Sequence, residues 1–302
     1  MNCSVVLTLY NEEKGLQRVL DYLSTQREII DEVIAISDAC HDGTNEILLK
    51  WYDREDQFKK SITLRESRYG RGNAISLGLS HSRNDLCIIM AGDMQPLSKS
   101  LPNLLQYFKD PRVGAATGHP ILLNSYRTIG DCLSHVMWKS HNQVGETTTE
   151  EGRFFHLNGE MYGIRKSALK QGDFYNCLNE DNMIGYLIKR NGFLVMWAKD
   201  VQYFMRYPSG FWEWLKIRKR SCYGRIELVR RTHLKQYGFY ELQSRDYILN
   251  VWRIGVSNLR FFASLIIGVP TEFLVRSYYR VMNRDLESPF TELWQPAAET
   301  KW

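Results

Sequence analysis

Over the first 120 positions, short unbroken apolar runs alternate with stretches of helical period. Ser4–Tyr10 (SVVLTLY), Glu32–Ser37 (EVIAIS) and Leu86–Ala91 (LCIIMA) have the length of buried strands, and Ser61–Glu66 and Val113–Gly118 predict two more. Between them, Glu12–Thr25 places Leu16, Val19, Leu20 and Leu23 at helical spacing. Thr44–Tyr52, Asn73–Ser82 and Leu101–Phe108 predict further helices. Strand–helix alternation at this spacing implies βαβ units and a mainly parallel α/β sheet. Ligands of such sheets bind beyond the carboxyl ends of the strands. Three polar segments fall there, Asn11-Glu12-Glu13, Asp38–Gly43 and Gly92-Asp93-Met94, so they are expected to meet in one crevice.

From Gly130 the pattern changes. Gly130–Val144 predicts a helix, Arg153–Lys166 a strand pair around Asn158-Gly159, Glu180–Arg190 a helix and Phe193–Trp197 a strand. After Ser209 the chain reads as helical and basic. Nine Lys/Arg against two Glu between Arg206 and Lys235 make a local charge of +7, with Trp212, Trp214, Tyr223 and Tyr237 in or beside it. Phe261–Val269 (FFASLIIGV) is the most apolar run. Nine residues cannot span a bilayer. With no Pro- or Ser-rich linker between the halves, one compact unit with a helical extension is expected. Its parts are residues 1–120, 121–208 and 209–302.

Composition narrows the class. The 302 residues are 44% hydrophobic and 13% aromatic, enough to bury a core, which excludes disorder as the main state. The mean hydropathy of -0.37 excludes a polytopic membrane protein. The start, MNCSVVLTLYNEE, lacks a basic segment before its apolar run and is not read as a signal peptide. Six cysteines without a CxxC pair argue against a zinc ribbon or thioredoxin motif and suit thiols in a reducing cytoplasm. The 45-residue spacing of Cys87, Cys132, Cys177 and Cys222 is not a repeat, because their flanks share no pattern.

Six segments carry chemistry: SVVLTLYNEE, ISDACHDGTNEIL, RYGRGNAISLGL, CIIMAGDMQP, LNGEMYGIRKSAL and NEDNMIGYLIKRNGF. In order and rough spacing they resemble family 2 glycosyltransferases over roughly residues 3–225. The resemblance implies the GT-A fold, a Rossmann-like nucleotide-binding sheet joined to an acceptor-binding part. It implies a metal contact for Asp93, the last residue of a D-x-D element that here reads Ala91-Gly92-Asp93. A cation, Mn2+ or Mg2+, suits a leaving diphosphate. The absent carboxylate at Ala91 puts the sugar or ribose contact in doubt. Asp38 is implied to bind the nucleobase, although Ser37 replaces the acid before it. Asp42 is expected to structure its loop. Glu12 either faces the ribose or offsets the dipole of the helix it precedes. Arg71, in a glycine-flanked turn, can reach a diphosphate. Of Glu180-Asp181, the resemblance makes Asp181 the general base that deprotonates the acceptor hydroxyl. WEWLKIRKRSCYG is similar, imperfectly, to the Q-x-x-R-W region of processive members, so Arg218 and Arg220 either contact the diphosphate or form a solvated basic face.

The function these residues imply is an inverting transfer of a sugar from a nucleoside-diphosphate donor, UDP favoured, to a hydroxyl acceptor. A sugar-phosphate nucleotidyltransferase would need a Gly-rich loop with Lys after the first strand, where Tyr10-Asn11-Glu12-Glu13 stands. A nucleic-acid-binding module would use the basic aromatic stretch but leave the polar strand-end loops without a use, so no nucleic acid partner is expected. Basic, aromatic and apolar residues together, including Tyr278, Tyr279 and Arg280, also suit a protein on the anionic cytoplasmic leaflet with a lipid-linked or membrane-presented acceptor. The alternative is that FFASLIIGV packs as a helix inside the protein or against a second subunit.

Overall fold

The computed structural model describes residues 2–154, 156–169, 174–175, 177–232 and 239–282, with backbone alone at 239–247 and 279–282. Lys235 and Tyr237 lie outside the described residues, as do the side chains of Tyr279 and Arg280. In chain order the elements are β1 (Cys3–Leu9), α1 (Leu16–Ser24), β2 (Ile30–Asp38), α2 (Thr44–Arg54), β3 (Lys59–Arg65), α3 (Arg71–His81), β4 (Leu86–Ala91), β5 (Met94–Pro96), α4 (Ser100–Tyr107) and β6 (Val113–Leu122). There follow α5 (Ile129–Glu150), β7 (Met161–Arg165), the short α6 (Lys166–Leu169), α7 (Glu180–Arg190), β8 (Leu194–Met205), α8 (Phe211–Thr232), α9 (Phe239–Val256) and α10 (Leu259–Met282).

One eight-stranded sheet runs in the order β3-β2-β1-β4-β7-β6-β8-β5. β1 is parallel to β2 and β4, and β2 to β3, while β7 is antiparallel to β4 and β6. From β1 the chain steps outward through β2 and β3, then returns to lay β4 on the other side of β1. The order therefore reverses between β1 and β4, which opens a crevice at their carboxyl ends. Alternate residues feed two apolar layers: Val5, Leu7, Ile88 and Met90 point to one, Val6, Ile34, Ile36 and Ile89 to the other. Burial on both faces is why these strands read as unbroken apolar runs.

Three expectations are corrected. Among the described residues Arg153–Lys166 holds no strand pair: β7 instead inserts between β4 and β6, and the segment before it is held by Asn158, whose backbone N–H donates to Thr117 Oγ1 at 2.8 Å. α1 starts at Leu16 rather than Glu12, because the carbonyl of Glu12 accepts from both Gly15 and Leu16 in a turn. β8 runs to Met205 rather than stopping at Trp197, and it carries the short β5, a segment without an apolar run of its own.

α10 packs on α5, α8 and α9. FFASLIIGV lies near its start and buries Phe261, Ser264, Leu265 and Gly268, one stripe at helical period. Its docking is fixed by charge. Arg218 of α8 donates through Nε and Nη2 to Glu272 of α10, at 2.9 and 2.7 Å, and Arg276 adds a contact at 3.0 Å.

Candidate active site

A cavity of about 300 Å³ opens at the switch point, bordered by Glu12, Asp38, Arg71, Asp93, Asp181, Arg218 and Arg220. The topology thus gathers all seven candidates, from strand ends, helix starts and the middle of α8, across more than 200 residues of chain.

Its floor is built from strained, tied loops. Asn11 and Ala39, just past β1 and β2, hold φ of 54° and 61°, a left-handed conformation that non-glycine residues adopt at a cost. Asn11 Oδ1 accepts from the backbone of His41 at 2.8 Å, locking the two loops together. Asp42 accepts from Glu13 and from both the backbone and hydroxyl of Thr44, which is the loop-structuring role its position suggests. The Glu12 N–H donates to Thr44 Oγ1 at 2.6 Å, and its side chain is buried against the cavity.

Asp38 is buried and already accepts three hydrogen bonds: from Arg65 and Tyr69 N at 3.0 Å each, and from Gly70 N at 2.7 Å. Gly70 holds φ at 87°, which turns its N–H onto the carboxylate and opens α3. A carboxylate offers about four acceptor positions, so one is left for a ligand.

Arg71, at the start of α3, reaches away from the open cavity into its wall. It donates to Glu180 Oε1 at 3.2 Å, to Thr8 Oγ1 at 3.2 Å and closely to the carbonyl of Gly159. A side chain at position 159 would strike it, since a β-carbon there would lie 2.5 Å from Arg71 Nη1. Burial opposes its charge, but Glu180 and the neighbouring acids outweigh that and hold its pKa above the usual value. The expected diphosphate contact therefore meets a guanidinium already committed to Glu180.

Glu180 and Asp181 open α7. With Arg71 bound to Glu180, Asp181 is the carboxylate that confronts the cavity with local ties alone, to Asn182 N at 2.7 Å and Asn182 Nδ2 at 3.3 Å. Burial first, and the charge of Glu180 second, push its pKa up to about 7. Such a group is poised to accept a proton near neutrality.

The two candidate arginines of α8, Arg218 and Arg220, part company. Residues two apart on a helix point about 200° apart. Arg220 borders the cavity, and its charge reaches Glu160. Arg218 touches the cavity wall but is buried, with its guanidinium forked on Glu272 and its Nη1 on Met137 Sδ. It serves to hold α10 rather than standing open to a diphosphate. The expected solvated basic face is also broken up, because Arg231 pairs with Glu227 at 2.8 Å.

Three cavity residues escaped sequence reasoning. Glu160 stands across from the end of β4. His141 and His156 meet edge to face at 4.5 Å beside Trp138, and burial pushes both imidazoles down, that of His141 to about 4, so they are neutral. His141 Nε2 contacts Asn158 Oδ1 at 2.8 Å and so carries its proton there. The histidines are 15 residues apart on a helix and a loop, and no local pattern announces their meeting.

A divalent cation fits this donor set. Asp93 and Glu160 both border the cavity, and Glu160 Oε2 is buried without a hydrogen-bond partner. No three His, Cys, Asp or Glu side chains cluster among the described residues. Mg2+-type sites characteristically take one or two carboxylates and complete their shell with substrate oxygens and water.

A doubly wound α/β sheet with an acidic crevice at its switch point defines a nucleotide-binding enzyme class. Residues 4–172 match the profile of Glycosyl transferase family 2, and the chain belongs to that family. It is 22% identical over 258 residues to the poly-beta-1,6-N-acetyl-D-glucosamine synthase of Staphylococcus aureus, covering 82% of this chain but 61% of the synthase's length. In structure it is similar to the mannosyltransferase PcManGT of Pyrobaculum calidifontis, solved with GDP-Man and Mn2+, at a TM-score of 0.69 and 15% identity over 94% of this chain and 88% of the other. It also resembles S. aureus TarS in complex with UDP-GlcNAc, at a TM-score of 0.53 and 14% identity, covering 93% and 92%. The fold is accordingly GT-A. The family gives no support to the nucleotidyltransferase or nucleic-acid alternatives.

Proposed function

We propose that the chain is an inverting transferase that moves a sugar from a nucleoside-diphosphate donor, UDP favoured, onto a hydroxyl acceptor. The observation that carries this is Asp181: a carboxyl held at the start of a helix, lifted to about 7 by burial and by Glu180, on the same cavity that Asp93 borders. Asp181 takes the acceptor proton as the acceptor oxygen bonds the anomeric carbon and the bond to the diphosphate breaks. Glu180 does not share that task, because its carboxylate is taken up by the ion pair with Arg71 at 3.2 Å. Asp93 is the residue that would hold the cation. A bound Mn2+ or Mg2+ would neutralise charge growing on the departing diphosphate. Arg220 adds a cation on the opposite wall, Asp38 and Glu12 line the nucleoside end, and the neutral His141–His156–Trp138 wall faces the acceptor. Residues 1–120 thus serve the donor, 121–208 the acceptor and the base, and 209–302 the surroundings of the acceptor.

The outer face of α9 and α10 supports an anionic cytoplasmic leaflet as the place of work. Trp252, Leu259, Phe262, Ile266 and Phe273 are exposed there, beside Arg253 and Arg260. No helix among the described residues is long and apolar enough to cross a membrane. A face of this composition lies at an interface, and a lipid-linked or membrane-presented acceptor would meet the cavity from that side.

The test is transfer from a panel of UDP- and GDP-sugars in Mn2+. Turnover with a UDP-sugar that disappears in excess EDTA and in Asp93→Asn is expected. Full turnover in EDTA would sink the metal-assisted mechanism.

A further inference from the structure

β4 and β7 are antiparallel and in register, with Met90 opposite Met161. One step further, the Ala91 N–H donates to the Glu160 carbonyl at 2.9 Å. Ala91 and Glu160 are therefore direct cross-strand partners. Directly opposed residues of an antiparallel pair project from the same face of the sheet, with β-carbons about 5 Å apart. Position 91 is two residues before Asp93 and carries a methyl group where a carboxylate would complete an Asp-x-Asp pair. Glu160 brings a carboxylate to the same place from the neighbouring strand, and its longer side chain spans the interstrand gap. Both residues border the cavity with Asp93.

Glu160 also needs an explanation on its own. Its Oε2 is buried with no hydrogen-bond partner. The buried hydroxyl of Tyr203 is the hydrogen-bonding group beside this carboxyl, and the charges of Arg71 and Arg220 offset its burial only in part. A buried carboxylate costs several kcal/mol unless something compensates it, and Asp93 makes matters worse by placing a second negative charge nearby. A cation between the two acids removes both penalties.

We propose that Glu160 supplies, across the strand pair, the carboxylate that position 91 lacks, and with Asp93 holds the divalent cation of the donor complex. The inference rests on the metal-assisted reading above but assigns a residue that reading does not require.

Mn2+ binding, followed by electron paramagnetic resonance and calorimetry with UDP present, tests it without any transfer step. Glu160→Gln keeps the size and the hydrogen-bonding reach toward Tyr203 but loses the charge. Its Mn2+ affinity should fall by at least roughly 10- to 100-fold, the range lost when even outer-shell groups of metal sites are removed. Its melting temperature without metal should hold or rise, whereas a merely structural Glu160 would lower it. Adding Ala91→Asp to Glu160→Gln should restore most of the affinity, because the two positions offer a carboxylate to one point. Wild-type affinity in Glu160→Gln, or a double variant no better than the single one, overturns the assignment. If Asp93→Asn loses Mn2+ while Glu160→Gln keeps it, Glu160 alone falls. If the unaltered protein binds no Mn2+ with UDP, the metal-assisted reading falls too.

Discussion

LCIIMA in β4 and FFASLIIGV in α10 are both strongly apolar and meet opposite fates. In β4, Leu86 to Met90 are all buried, because helices cover both faces of the sheet. In α10, Phe261 and Leu265 are buried while Phe262, Ile266 and Ile267 on the other side stand open, Ile266 at 64% exposure. The strand's hydrophobicity is consumed inside the fold and serves to aim Asp93. The helix carries more apolar surface than its docking buries, and the surplus faces outward. The first region is organised to hold groups still at one point, the second to present a surface.

The sharpest way to break the first half of that contrast is at the base. Asp181→Asn retains shape but cannot accept a proton, so turnover should fall by roughly 10²- to 10⁴-fold with donor affinity kept. The unaltered enzyme should lose kcat/KM as pH drops below about 7, because a carboxyl raised to that value protonates there and ceases to be a base. The acid limb should vanish in the variant. Steady-state kinetics from pH 5.5 to 9 reads both. An unchanged limb in Asp181→Asn would assign it to another group.

Next in size is the clasp between the two regions. Burial opposes the charge of Glu272, but Arg218 and Arg276 outweigh that and hold its carboxyl well below the usual range. Glu272→Ala strands the buried Arg218, a loss of about 3–5 kcal/mol for a broken buried pair. α10 should loosen, and limited proteolysis should cut it ahead of the sheet. With a depressed folded pKa, the clasp's stability is present above the unfolded carboxylate value and is lost as pH falls below about 4. Equal protease resistance in both proteins would show that apolar packing alone docks α10.

These outcomes bear on what was legible in the chain. Strands buried on both faces and helices of clear period announced themselves, and with them the strand-end acids Asp38 and Asp93. What escaped depends on register. Glu160 lies inside a segment read as significant, yet its meaning comes from facing Ala91 across a strand pair, and local pattern carries no register between β4 and β7. Arg71 and Arg218 read as free cations because their partners, Glu180 and Glu272, are 109 and 54 residues away. The exposed face of α10 was hidden for the opposite reason: a run apolar on all sides does not say which side is covered.

The neutral histidines offer a smaller effect. His141 stays uncharged down to about 4 in the fold but binds a proton near 6.5 when unfolded. Below 6.5 the unfolded state binds more protons, so stability falls with falling pH, by at most about 1.4 kcal/mol per pH unit for one histidine. Asp181, whose folded pKa is raised, acts in the opposite sense between its unfolded value and 7. The difference between the unaltered protein and His141→Gln in urea melts from pH 5 to 8 isolates the histidine. A difference independent of pH would show that His141 binds its proton equally well in the folded and unfolded states.

The smallest effects per residue fall on the outward face. If α9 and α10 rest on an anionic leaflet, Arg253 and Arg260 each contribute on the order of 1 kcal/mol, so Arg253→Gln or Arg260→Gln should weaken binding to phosphatidylserine vesicles about 5-fold at low salt. Raising the salt should weaken the unaltered protein in the same way, since such attraction fades within a Debye length. The apolar part answers differently. Ile266→Ser with Phe273→Ser removes exposed apolar surface, so release from vesicles should come without loss of melting temperature and should persist at high salt. Both residues lie on the face of α10 opposite the stripe of Phe261, Ser264 and Leu265, which is why the fold should not register their loss. Co-sedimentation of the three variants separates charge from insertion. If the unaltered protein stays in the supernatant with anionic vesicles at low salt, the open face of α10 has some other occupant and a soluble acceptor becomes the better reading of the cavity.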